Sequence, residues 1–153
     1  MGINDAYWMQ QAYLLAQQAG EAGEVPVGAV VVDANNQLIG TGYNQSIQAH
    51  DPTAHAEVIA LRRAAQCVQN YRLNQATLYV TLEPCPMCAG ALIQARIARL
   101  VFATRDVQAG AAGSVFNFLQ SPSLNHTIEM DDGVMEHACA ALLHDFFKAR
   151  RFV

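Results

Sequence analysis

The chain has no segment that reads as an export signal. Its opening, MGINDAYWMQQAYLLAQQAG, lacks a basic start, an unbroken apolar run and a small-residue cleavage site. No uncharged apolar stretch approaches the roughly 20 residues that a membrane-spanning helix needs, so no membrane partner is expected and a cytoplasmic location is. Met1 and Gly2 begin like a myristoylation site, but Ala6 stands where that motif requires Ser or Thr. Charge is scarce, at 14% of residues, and the net charge is −4, which works against approach to a phosphate backbone unless positive charge is gathered locally. Lys148, Arg150 and Arg151 are gathered at the C-terminus and can form such a patch. Cysteine is limited to four residues. In a chain without an export signal these are metal ligands or buried thiols rather than disulfides. Internal repeats, low-complexity tracts and linkers are absent too, which leaves one domain spanning residues 1–153.

What is present suits a large core: 52% of residues are hydrophobic, and at this length folding buries roughly two thirds of the chain's surface. Apolar positions Ala6, Met9, Tyr13, Ala16 and Ala19 recur at helical spacing from Asp5 to about Ala22. Val25 to Asp33 and Leu38 to Gly42 read as a β-hairpin turning at Asn35 and Asn36. A helix is expected to open at Asp51-Pro52-Thr53, with Thr53 as N-cap, and to fade near Cys67. Thr77–Leu82, Pro86–Ala95 and Arg99–Thr104 read as strand, helix, strand, the pattern of a parallel crossover. Residues 105–126 read as loop around a short helical piece at Val115–Gln120, followed by a strand at Thr127–Met130. The last helix is expected from Gly133 to Arg151, with Val134, Ala138, Ala141, Leu142 and Phe146 inward. The fold class is α/β, with helices layered on a sheet.

The chemistry concentrates in His55-Ala56-Glu57 and Pro84-Cys85-Pro86-Met87-Cys88. Cys85 and Cys88, three apart at the start of a helix, present both sulfurs on one face of its first turn. A helix N-terminus also favours the thiolate form that binds metal. His55 and Glu57 sit at another helix mouth, where the imidazole can bind and the carboxylate can work. Three protein ligands leave a fourth tetrahedral position for water, as in catalytic zinc sites, and Glu57 is placed to take that water's proton. This histidine, glutamate and paired-cysteine arrangement is the signature of zinc nucleobase deaminases. Two other readings stand beside it. One is a structural zinc closed by Cys67, Cys139, His50 or His126; the other is chance, with buried thiols and a solvated glutamate. Cys67 and Cys139 read as core thiols, and His126, His137 and His144 as surface or packing residues.

The sequence resembles the bacterial tRNA-specific adenosine deaminase family of the cytidine deaminase superfamily along nearly its whole length. The likeness is carried by EVPVGAVVV at Glu24–Val32, HDPTAHAEVIALR at His50–Arg62, NYRL at Asn70–Leu73, LYVTLEPCPMCAGALIQARI at Leu78–Ile97, RDVQAGAAGS at Arg105–Ser114 and DFFKARR at Asp145–Arg151. The resemblance implies a three-layer cytidine-deaminase-like fold with a central mixed five-stranded sheet, and a homodimer with one Zn2+ per subunit held by His55, Cys85 and Cys88. It implies hydrolysis of the wobble adenosine of a tRNA anticodon to inosine, with zinc-bound hydroxide attacking C6 and Glu57 shuttling protons. Asn44 matches the family position that hydrogen-bonds the flipped nucleotide, or is a turn asparagine. Asp106 matches the position that contacts the ribose 2′-hydroxyl, or is a surface-loop aspartate. Phe147 and Arg151 match positions that touch the anticodon loop. Gln108 stands where many relatives carry lysine, and the chain ends at Val153 without the basic tail of several relatives; both weaken the expected grip on phosphate. A free-base or nucleoside deaminase for guanine, cytosine or cytidine would use the same zinc site, and a non-catalytic zinc-stabilised RNA-binding module is the reading from another class.

Overall fold

The computed structural model describes residues 2–124 and 126–150. In chain order the elements are α1 (Gly2–Glu21), β1 (Gly28–Val32), β2 (Leu38–Tyr43), α2 (Ala56–Val68), β3 (Thr77–Leu82), α3 (Pro86–Gln94), β4 (Arg99–Thr104), β5 (Glu129–Asp132) and α4 (Glu136–Arg150). They form one mixed sheet of order β2-β1-β3-β4-β5 with helices on both faces. The three-layer α/β architecture expected from the sequence is the one observed.

Alternation along the strands builds the two cores. Ala29, Val31, Leu78, Val80, Leu100 and Phe102 face α2 and α3, where Ala56, Ala60, Ala64, Ala89 and Leu92 meet them. Val30, Val32, Tyr79, Val101 and Ala103 face the other way, against Trp8, Met9 and Ala12 of α1 and Cys139 of α4. The alanines let α2 lie directly on the sheet. A Cβ on Gly40 or Gly42 of β2 would collide with the backbone of Ala60 or Ala56, so these glycines permit the approach.

Strand polarity decides where the site lies. β1 runs antiparallel to both β2 and β3, so β2 and β3 point the same way, and β4 and β5 run parallel to β3. The carboxyl ends of β2, β3 and β4 therefore share one edge of the sheet. α2 and α3 both begin at that edge, which is where open α/β sheets place ligands.

Several expectations shift. α2 starts at Ala56 with His55 as N-cap. Thr53 does not cap it, because its N–H and hydroxyl both donate to Asp51 Oδ1, at 2.8 and 2.7 Å, and close a local turn instead. No helix forms at Val115–Gln120. The Ser114 N–H is drawn to the Glu83 carboxylate, those of Val115 and Phe116 to the Gly110 carbonyl, and Ala112 bridges Asn117. β5 lies two residues later than expected, and the stripe on α4 is turned: Cys139 and Leu143 are its buried residues, while Ala141 is exposed. Cys139 is a core thiol, whereas Cys67 is exposed on the last turn of α2.

Candidate active site

Three of the residues at the site lie just past strand ends at the carboxyl edge. Asn44 follows β2, Glu83 follows β3, and Asp106 follows β4 by two residues. Asn44 Oδ1 accepts the Ala56 N–H at 2.8 Å, satisfying one of the orphan donors of the α2 N-terminus. That contact fixes the amide orientation and leaves Nδ2 as the donor available to the cavity. His55 is the extended N-cap of α2, and Glu57 lies one residue past the start of the helix. Cys85 is the extended N-cap of α3, Pro86 takes the first helical position where its missing N–H costs nothing, and Cys88 completes the first turn.

Two helix mouths are thereby brought together. His55 Nδ1 lies 3.6 Å from Cys85 Sγ and 3.5 Å from Cys88 Sγ, and the three donor atoms all fall within 4.8 Å of one another. Tetrahedral zinc with bonds of about 2.3 Å to sulfur and about 2.0–2.1 Å to nitrogen places such donors about 3.6 Å apart. One nitrogen and two sulfurs at these separations therefore suit zinc in both chemistry and size. The donors share protons among themselves. A hydrogen bond from Cys88, aided by His55, pulls the Cys85 thiol down to about 4, so it is thiolate at neutral pH. Cys88 is pushed far up by the thiolate it donates to and by burial, and the hydrogen bond to Cys85 raises His55. A divalent cation takes the place of shared protons of this kind.

Beside the donors opens a cavity of about 260 Å³ whose lining includes Asn44, His55, Glu57, Glu83, Cys85 and Asp106, with Val25, Val27 and Leu82 as apolar wall. Glu57 is buried, and burial pushes its carboxyl up to about 7, opposed in part by a hydrogen bond from its own backbone amide. A carboxyl poised near neutrality can both accept and deliver a proton. Asp106 is half-buried, and its Oδ1 accepts the N–H groups of Gln108 and Ala109 at 3.0 and 3.2 Å, which leaves Oδ2 for the cavity.

Glu83 was not among the residues expected at the site. It is only 2% exposed, and its two oxygens accept the N–H groups of Asp106, Ala112 and Ser114 at 3.0, 2.9 and 3.1 Å, together with the Ser114 hydroxyl. Despite burial, these donors hold its carboxyl below the usual range. The side chain thus ties the loop that bears Asp106 to the strand end that bears Cys85. The available signal was an acid directly after the apolar strand Thr77–Leu82, two residues before a cysteine.

The remaining expected residues do not meet at the cavity. Phe147 is exposed near the end of α4, edge-on to Phe146, and is absent from the cavity lining. Phe146 is the more buried of the two and lies beneath the Arg150 guanidinium, 3.5 Å from its ring centre. Arg151 lies outside the described residues. His126, read as a packing residue, donates Nε2–H to the Ile97 carbonyl at 2.8 Å.

A mixed five-stranded sheet with a buried carboxyl beside three metal-type donors at its carboxyl edge is a deaminase architecture, and the profile of the MafB19-like deaminases matches residues 3–151. The tRNA-specific adenosine deaminase of Haemophilus influenzae is 52% identical over 147 residues, covering 96% of this chain and 85% of that protein. A solved structure from work on A-to-I editing by tRNA:A34 deaminases at the wobble position of transfer RNA is similar with a TM-score of 0.86 and 39% identity, over 90% of this chain and 99% of that one. A guanine deaminase from Nitrosomonas europaea is similar with a TM-score of 0.80 and 25% identity, over 92% of this chain and 83% of that one. The chain belongs to the tRNA-specific adenosine deaminase family, within the MafB19-like deaminases.

Proposed function

We propose that this chain hydrolyses the wobble adenosine of a tRNA anticodon to inosine and ammonia, with His55, Cys85 and Cys88 holding one zinc ion and Glu57 carrying the protons. The observation that carries the reading is a buried carboxyl poised at about 7 in the same base-sized cavity as a three-donor metal-type cluster. Bound zinc supplies Lewis acidity that makes a water nucleophilic near neutral pH. The rest is done by side chains. Glu57 removes one proton from the water as the water oxygen bonds to C6 and delivers it to ring N1, then takes the remaining proton from the new C6 hydroxyl and passes it to the amino nitrogen as the C6–N6 bond breaks and the C6 carbonyl forms. Water is consumed and ammonia leaves, so no other reactant is needed. Asn44 offers its Nδ2 amide to the flipped nucleotide, and Asp106 offers Oδ2 to the ribose 2′-hydroxyl. Phe147 and Arg151 stack on and pair with the anticodon loop. The working setting of the enzyme in this proposal is a cytoplasmic homodimer acting on the tRNA anticodon arm. Among the described residues no helix is long and apolar enough to cross a membrane.

The likeness to a guanine deaminase favours one competing substrate, a free base, for which Asp106 would have no ribose to bind. The test is deamination by the zinc-loaded protein of an anticodon stem-loop with wobble adenosine, run beside free adenosine, cytidine and guanine. Inosine formation in the stem-loop is the expected result. Turnover of a free base or nucleoside alone would overturn the tRNA assignment.

A further inference from the structure

A second cavity, of about 300 Å³, lies at the far end of α3 from Cys85. Nine helical residues separate the two ends, about 13 Å, so this cavity touches other parts of a ligand than the base being deaminated. Its lining contains Arg72, Arg96, Tyr71, Ser123 and His126 and no acidic residue. In a chain of net charge −4 that is unusual company. Arg62 faces Asp51, Arg99 faces Asp5 and Asp131, and Arg105 faces Asp132, whereas among the described residues Arg72 and Arg96 have no carboxylate partner and, unlike Arg63 and Arg150, share one cavity.

The Arg72 guanidinium is held in place. Arg72 Nε donates to the Tyr71 hydroxyl at 3.2 Å, and the guanidinium lies 5.6 Å from that ring's centre. Tyr71 is itself 67% exposed and presents an aromatic face beside the cation. Arg96 has a φ of 61°, the left-handed conformation that follows many helices and that glycine ordinarily supplies. A long cationic side chain is kept at a backbone position suited to none. The His126 ring is fixed by its Nε2–H bond to the Ile97 carbonyl, which leaves Nδ1 toward further donors or acceptors.

We infer that this cavity binds phosphate groups of the substrate RNA backbone outside the deaminated nucleotide, with Arg72 and Arg96 as the phosphate ligands and Tyr71 as a stacking surface. Two guanidinium groups with no carboxylate partner among the described residues match phosphate oxygens, and an adjacent exposed aromatic ring suits an unstacked base. The inference rests on the proposed action on tRNA, and it gives this acidic chain a phosphate grip that does not depend on its C-terminus.

The test measures binding of a fluorescent anticodon stem-loop carrying wobble guanosine, so that turnover does not enter. R72Q/R96Q is expected to weaken binding on the order of tenfold at about 0.1 M salt and to make the slope of log K against log salt shallower by about 1.5, the release of two contacts. R96G separates folding from binding: it relieves the left-handed backbone, so it should melt no lower than the parent chain while still losing affinity. R63Q is the charge control, since the Arg63 guanidinium sits on the Thr41 carbonyl, away from this cavity, and its slope should be unchanged. Unaltered affinity and slope in R72Q/R96Q would overturn the inference, as would an equal loss in R63Q. Calorimetric loss of inorganic phosphate binding in R72Q/R96Q with full stem-loop affinity would mark the ligand as a small phosphate and also overturn it. Turnover of the wobble-adenosine stem-loop by the parent chain is read separately, so failure of the tRNA reading is distinguishable from failure of this site.

Discussion

Two of the buried carboxyl groups lie on opposite faces of the sheet, and their surroundings treat them differently. Asp5 of α1 is 8% exposed and Glu57 of α2 is 4% exposed. Asp5 receives Arg99 Nη1 and Nη2 at 2.8 Å each and the Tyr79 hydroxyl at 2.7 Å, and Arg99 also meets Asp131. The Arg99 hydrogen bonds hold its carboxyl below the ordinary range, against the opposing effect of burial. Glu57 has no guanidinium partner among the described residues, and burial lifts it to about 7. A buried acid given full partners ties α1 to the sheet; a buried acid without a guanidinium partner has its carboxyl raised by burial, as a group that trades a proton requires.

Removing the unpartnered acid should have the largest effect. Glu57→Gln is expected to lower kcat on the stem-loop by about 10²–10⁴-fold. Bound zinc by elemental analysis should stay near one per chain, and the melting temperature should not fall. Loss of zinc in that variant would instead make Glu57 a metal ligand. His55→Ala sharpens the same distinction from the ligand side: at least about tenfold weaker zinc binding by competition with a chelator, and a lower melting temperature, because metal binding and folding are coupled.

Breaking the partnered acid should alter stability and spare chemistry. Asp5→Asn leaves Arg99 with only Asp131 and is expected to cost about 2 kcal/mol, or about 4–8 °C in Tm, with kcat per folded molecule unchanged. The pH dependence has a defined sign. The folded-state pKa of Asp5 is depressed below its ordinary 3.8, so its contribution is present above that value and is lost as pH falls through the lower folded value. The gap in urea midpoint between the parent chain and Asp5→Asn should therefore close in acid, below about pH 4, and stay open at neutral pH. A gap independent of pH would assign the effect to packing.

Glu83 lies between these cases, since its partners are N–H groups and a hydroxyl rather than a cation. Glu83→Gln turns an acceptor oxygen into a donor against those groups, loosening the Asp106 loop. The expected result is a rise in KM of about 3- to 10-fold with kcat changed less, on the order of 1 kcal/mol in kcat/KM. A fall in kcat with KM unchanged would place Glu83 in the chemical step.

The parts of this protein that were legible from residue order are those governed by local periodicity. Thr77–Leu82 and Arg99–Thr104 were read to the residue because each is a short, buried β-branched or apolar run bounded by turns or helix starts. Readings failed where a distant group competed with a local preference. Asp51 took the hydroxyl expected to cap α2, and Glu83 and Gly110 took the amide groups expected to start a helix at Val115. The α4 stripe differs because that alanine-rich helix carries weak amphipathic phase, and Cys67 is exposed because it lies past Ala64, the last buried residue of α2.

By itself the sequence named the candidate donors. Cys85 and Cys88, three apart, fall on one turn of the helix that follows Pro84. Only the tertiary structure decided that the two halves meet. His55 and Cys85 are thirty residues apart, and their contact depends on β2 and β3 running the same way, so that two helices begin at one edge of the sheet. The same packing removes water from Glu57 and so raises its carboxyl, because the pKa of a carboxyl is set by what surrounds it and not by its neighbours in sequence.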